Sequence, residues 1–159
     1  MILIPIDISI STALGVLIAF ILAIPAIFLE TSRRVKNLPL LIDVKVWFGR
    51  KLTHGEIFLV DLLLHLIIGA FYGFFYALFA SQGWLFITNA PYTIHSMIIF
   101  AVLFWVGRNV IMMPLVGFGI FGLKEGKTVW YETLAVLLME GTILWLIIQF
   151  YQPYFFYSL

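Results

Sequence analysis

The chain has 159 residues, 64% of them hydrophobic and 11% charged, with a net charge of +1 and no cysteine. Soluble domains carry about 25% charged residues, so no water-soluble core of this size explains the composition. The nine Lys and Arg are local in placement and form no basic and aromatic array of the nucleic-acid kind, so no nucleic-acid partner is expected, and the missing thiols exclude a disulfide frame, a c-type haem, an iron–sulfur cluster and a cysteine nucleophile.

Ile6 to Leu29 is the first apolar run. It lacks the basic flank and short core of a secretory signal, so it reads as a retained transmembrane helix, with Pro25 expected to kink or end it. Residues 30–56 hold Arg33, Arg34, Lys36, Lys45, Arg50 and Lys51. The centre of this segment, residues 40–48, keeps neither a helical nor a strand period, and it is expected at the membrane interface with Trp47 at headgroup level. Thr53-His54-Gly55-Glu56 then has the form of a capping box ahead of an apolar run.

That run, Ile57 to Ala80, is long enough to cross a hydrocarbon core of about 30 Å at about 1.5 Å per residue. It nevertheless carries Asp61 and His65. At about 100° per residue, Asp61, His65, Ile68, Gly69, Tyr72 and Tyr76 share one stripe. Asp and His are costly in hydrocarbon, so the stripe is expected to face protein or enclosed water. Gly69 and Gly73 form a Gly-x-x-x-Gly pair that admits a second helix closely.

A short uncharged connection, 81–89, leads to Asn89 and Pro91, which suit a helix cap and first turn. The third span, 91–113, contains His95, Arg108 and Asn109 and is expected to stop at Pro114. Gly117-Phe-Gly119-Ile-Phe-Gly122 spells a dinucleotide-binding pattern without the strand such a pattern requires, so a tight glycine turn is the better reading. The fourth span, 128–151, holds Glu132 and Glu140, and the tail from Phe150 to Tyr157 is an aromatic belt.

The pattern gives an all-α bundle of four transmembrane helices in one membrane domain, 1–159. Six Lys and Arg lie after the first span, three lie around the end of the third, and none lies elsewhere. The positive-inside rule therefore puts both cationic segments in the cytoplasm and both termini outside. Counting depth from the cytoplasmic ends at about 1.5 Å per residue places Asp61, Arg108 and Glu132 about 6 to 8 Å deep. His65 and Glu140 fall deeper, at about 14 and 18 Å, in a second layer where no Lys or Arg matches Glu140. His95 lies about 27 Å from the same side, too far from His65 to share one haem iron.

The second half of the chain resembles the YagU-like family of small bacterial inner-membrane proteins. The likeness rests on the histidine-bearing helix running into Gly69 and Tyr72 to Tyr76, on Met113-Pro114-Leu115-Val116-Gly117, and on Trp130-Tyr131-Glu132 with Glu140 beyond. It covers about residues 60 to 150 and leaves the segment Arg33 to Lys51 unmatched. The resemblance implies a multi-pass membrane protein and brings no catalytic residue.

Three functions are open. The first is a non-enzymatic structural or accessory component, associating with itself or a larger membrane complex through the Gly69 and Gly73 face. The second is a small proton- or cation-coupled transporter or channel using Asp61, His65, Arg108, Asn109, Glu132 and Glu140. The third is a membrane enzyme with a metal on Asp61, His65 and Glu140, for which His-Glu-x-x-His and Glu-x-x-His are both missing. No enzyme activity, cofactor or metal is expected.

Overall fold

The computed structural model describes residues 5–31, 46–47, 50–82, 84, 93–115, 117–124 and 126–155. Their order is helix α1 (Pro5–Thr31), strands β1 (Val46–Trp47) and β2 (Arg50–Lys51), then helices α2 (His54–Ser81), α3 (Ile94–Gly107) and α4 (Val129–Phe155). A π-helical turn (Arg108–Met112) and a last α-helical turn (Met113–Leu115) extend α3, and a short 3-10 turn (Ile120–Gly122) precedes α4. The protein is an all-α four-helix membrane bundle, with four helices long and apolar enough to cross a bilayer. Helices are forced on such sequences because hydrocarbon offers no partner to a free backbone N–H or C=O.

Several ends differ from the expected ones. α1 runs through Pro25 to Thr31, since a proline near a helix end removes only one backbone bond. The third span begins at Ile94, capped by Thr93, whose hydroxyl accepts the Ser96 N–H at 3.3 Å. Asn89 and Pro91 lie outside the described residues. At its far end the span passes Pro114 to Leu115.

Ahead of α2, β1 and β2 pair antiparallel with Val46 opposite Lys51, where no clean strand was expected. The capping box forms: the Thr53 N–H donates to Glu56 Oε2 at 2.8 Å, and Arg50 Nη2 donates to Glu56 Oε1 at 2.6 Å. Arg33, Arg34, Lys36 and Lys45 lie outside the described residues, as does the Trp47 side chain. In the aromatic tail the helix continues to Phe155 and Phe150 is exposed. The glycine turn is real, with φ of +90° at Gly117 and +74° at Gly119, values that only glycine adopts cheaply.

α2 shows how burial is inverted here. Leu59, Leu63, Ile67 and Phe71 form its exposed stripe, while Asp61, His65, Tyr72 and Tyr76 are buried. Lipid solvates the apolar stripe, and the polar groups turn inward because hydrocarbon cannot hydrogen-bond them.

α1 and α2 cross tightly through small residues. Ser11, Gly15 and Ala19 of α1 face Gly69 and Gly73 of α2, and a Cβ built on Gly69 would stand 2.5 Å from Ala19 Cβ and 2.7 Å from the Gly15 carbonyl oxygen. Ser11 Oγ donates to the Gly73 carbonyl at 2.7 Å. The Gly69 and Gly73 face, expected to receive a second copy or a partner, is thus filled by the chain's own α1. α4 packs against both α1 and α3. α2 and α3 meet instead through rings, with the Tyr72 and Phe100 centroids 5.1 Å apart and those of Tyr76 and Phe100 5.4 Å apart.

Candidate functional site

Five of the six polar residues expected inside the membrane are buried: Asp61, His65, Arg108, Asn109 and Glu140. The sixth, Glu132, is half-buried in the first turn of α4.

Arg108 and Asn109 are neighbours in sequence, yet 7% and 0% of their surfaces are exposed. Successive residues of an ideal α-helix point about 100° apart, so both can turn inward only if the local winding changes. It does: they open the π-helical turn, where the Met113 N–H reaches back five residues to the Arg108 carbonyl. The cause is local. Asn109 Nδ2 donates to the Trp105 carbonyl at 2.8 Å, competing for an acceptor that an α-helix gives to the backbone. Pro114 supplies no N–H to the same ladder, so a wide turn costs less there. Such π turns in α-helices occur often at functional sites.

Trp105 fastens this stretch to α4, its Nε1 donating to the Trp130 carbonyl at 2.9 Å and lying 3.2 Å from Thr133 Oγ1.

Across the bundle, His65 Nε2 lies 3.0 Å from the Ala19 carbonyl oxygen. A carbonyl only accepts, so Nε2 carries the proton and the imidazole ties α2 to α1. Glu140 reaches the same crossing: a Cβ built on Gly69 would stand 3.2 Å from its Oε1. Beside it, the Tyr72 hydroxyl packs on Gly141 and donates to Met97 Sδ at 3.7 Å.

Arg108 links the two expected layers. Arg108 lies within electrostatic reach of both Glu140 and His65, although backbone depth alone pairs it with Asp61 and Glu132. A long arginine side chain on a π turn spans the gap that Cα counting leaves. Arg108 and Glu140 attract each other but do not close into an ion pair; among the described residues the ion pair formed is Arg50–Glu56. Arg108 Nε, Asn109 Oδ1 and Glu140 Oε1 have no hydrogen-bond partner. Buried groups of this kind are usually satisfied, so the layer keeps capacity to hold something more. Asp61, His65 and Glu140 do not converge as a metal site: among the described residues no three His, Asp or Glu come together. His95 is exposed, whereas His65 is buried.

Farther from the cationic end, the core is apolar and aromatic, with Tyr76, Phe100, Leu144 and Ile148 essentially inaccessible. Ser11 is occupied by the Gly73 carbonyl, and Ser96 belongs to the α3 cap.

Ser11, Trp105 and Thr133 were missed as site-forming residues, whereas Tyr72 already lay on the stripe expected to face inward. Ser11, Gly15 and Ala19 at four-residue spacing were the signal for the α1 partner of Gly69 and Gly73. The adjacent pair Arg108-Asn109 inside an apolar span was the signal for irregular winding. Comparison with protein-family models, with curated proteins and with solved structures gives no match to this chain.

Proposed function

We propose that the protein is a non-enzymatic, non-conducting structural or accessory component of a bacterial inner-membrane assembly. In this reading both termini are outside, the basic segment is in the cytoplasm, and the buried polar residues serve mainly to tie the chain's own helices. Kinship with the YagU-like family belongs to the same proposal. The observation that carries it is the plug beyond the polar layer. Tyr76, Phe100, Leu144 and Ile148 are each 0–1% exposed, and an ion moving past them would lose its hydration with nothing in return. His65 on the Ala19 carbonyl and Asn109 on the Trp105 carbonyl are the kind of bonds that secure helices in a bilayer.

The unpaired Glu140 Oε1 and Arg108 Nε favour a second reading, a small proton- or cation-coupled transporter. Proteoliposomes holding a pH-sensitive dye separate the two. The expected outcome is no flux above protein-free vesicles at any pH, with His65→Ala and Glu140→Gln lowering thermal stability only. A pH-dependent flux that both substitutions abolish would overturn the non-conducting reading.

A further inference from the structure

α2 and α3 meet largely through aromatic rings, and along that seam runs an open cleft of about 420 Å³. Phe75 and Phe79 of α2 form one wall, Phe100, Leu103 and Phe104 of α3 form the other, and Arg108 stands where α3 passes into the π turn. The volume falls within the range of about 300–1,000 Å³ usual for ligand sites.

We propose that this cleft binds an anionic glycerophospholipid from the leaflet at the cationic end, its phosphate on Arg108 and one acyl chain along the phenylalanine walls.

Three observations converge on that occupant. The first is length. From Phe100 to Met112 the lining rises through twelve residue steps, about 18 Å at about 1.5 Å per residue, slightly more than the roughly 15 Å of one leaflet in a core of about 30 Å. An acyl chain entering from the cationic end reaches the far wall near the midplane.

The second is chemistry. The lining is almost wholly apolar except for Arg108, which is 93% buried on its 7% exposure and whose Nε has no hydrogen-bond partner. A guanidinium offers five donors in a fork matched to phosphate, and Glu140 does not close on it. The third is charge. Arg50, Lys51, Lys124 and Lys127 are exposed at the same end of the bundle, and cations near a membrane surface concentrate anionic lipid.

The cleft persists because of two features of α3 and its extension. Gly107 leaves open space, since a Cβ there would meet nothing within 4 Å. The π turn directs Arg108 inward, so that it lines the seam.

The test uses the full chain reconstituted in nanodiscs of equal parts phosphatidylglycerol and phosphatidylcholine, extracted gently and weighed by native mass spectrometry. Retained lipid is expected to be enriched about fivefold in phosphatidylglycerol, the effect of one well-placed cation. Arg108→Gln brings that ratio to the bulk value, whereas Arg108→Lys keeps part of it. Gly107→Trp fills the cleft from an open position, leaves Arg108 in place and lowers retention of both lipids; it decides the matter alone if Arg108→Gln does not fold. A wild-type ratio equal to bulk overturns the proposal, as does enrichment unchanged in Arg108→Gln or full retention in Gly107→Trp. A dimer that holds no lipid and dissociates in Gly107→Trp overturns it too, by making the occupant a second copy.

Discussion

α2 has two neighbours and treats them in opposite ways. Toward α1 it presents Gly69 and Gly73, and the backbones meet so closely that neither position has room for a methyl group. Toward α3 it presents Tyr72, Phe75, Tyr76 and Phe79, whose rings hold the helices apart and leave a cleft between them. In water, both faces would be pressed shut by the hydrophobic effect. In lipid, apolar side chains gain nothing by leaving acyl chains for one another, so close contact requires backbone approach and polar bonds, and bulky residues keep a seam open. Residue size, more than hydrophobicity, therefore decides which seam closes.

The sharpest way to break that contrast is to enlarge the closed seam. Gly69→Leu drives a side chain into Ala19, the Gly15 carbonyl and Glu140 Oε1. It is expected to lower stability by about 3 kcal/mol, the upper part of the over-packing range, read as the shift of the SDS or thermal unfolding midpoint. An unchanged midpoint would mean that α1 and α2 do not cross there.

His65→Ala removes the bond to the Ala19 carbonyl and leaves a void on the same seam. The expected loss is about 1–2 kcal/mol, with His65→Gln recovering part of it through its amide donor. If His65→Gln is no better than Ala, the bond to α1 contributes little. Ser11→Ala keeps the size and deletes only the donor to the Gly73 carbonyl, so its cost should be near 0.6 kcal/mol, the average for such bonds in a bilayer.

The sequence carried some of this and hid the rest for physical reasons. The four spans were legible because lipid requires long apolar helices, and the inward stripe of α2 was legible because Asp61 and His65 repeat at helical spacing. The partner of Gly69 and Gly73 was not: Gly-x-x-x-Gly marks a face that can be approached and is silent on whether the visitor belongs to the same chain. The reach of Arg108 toward Glu140 and His65 was not legible, because Cα counting assumes uniform winding and ignores side-chain length, and the π turn and the guanidinium depart from both. The α2/α3 cleft had no signature at all, since a phenylalanine that props a seam open and one that fills a core are the same letter.

Gly107→Ala probes the open seam with the smallest possible change. Glycine inside a helix costs stability through its greater freedom in the unfolded chain, and alanine recovers that wherever its methyl group fits. At Gly107 the added Cβ meets nothing within 4 Å, whereas at Gly69 it would meet three groups closer than that. One substitution is thus expected to act with opposite signs at two points of the bundle: destabilising at Gly69, and stabilising at Gly107 by about 0.5 kcal/mol, the low end of the usual range. A loss at Gly107 in the same unfolding assay would mean that the α2/α3 seam is closed in the membrane, and that ring size does not hold it open.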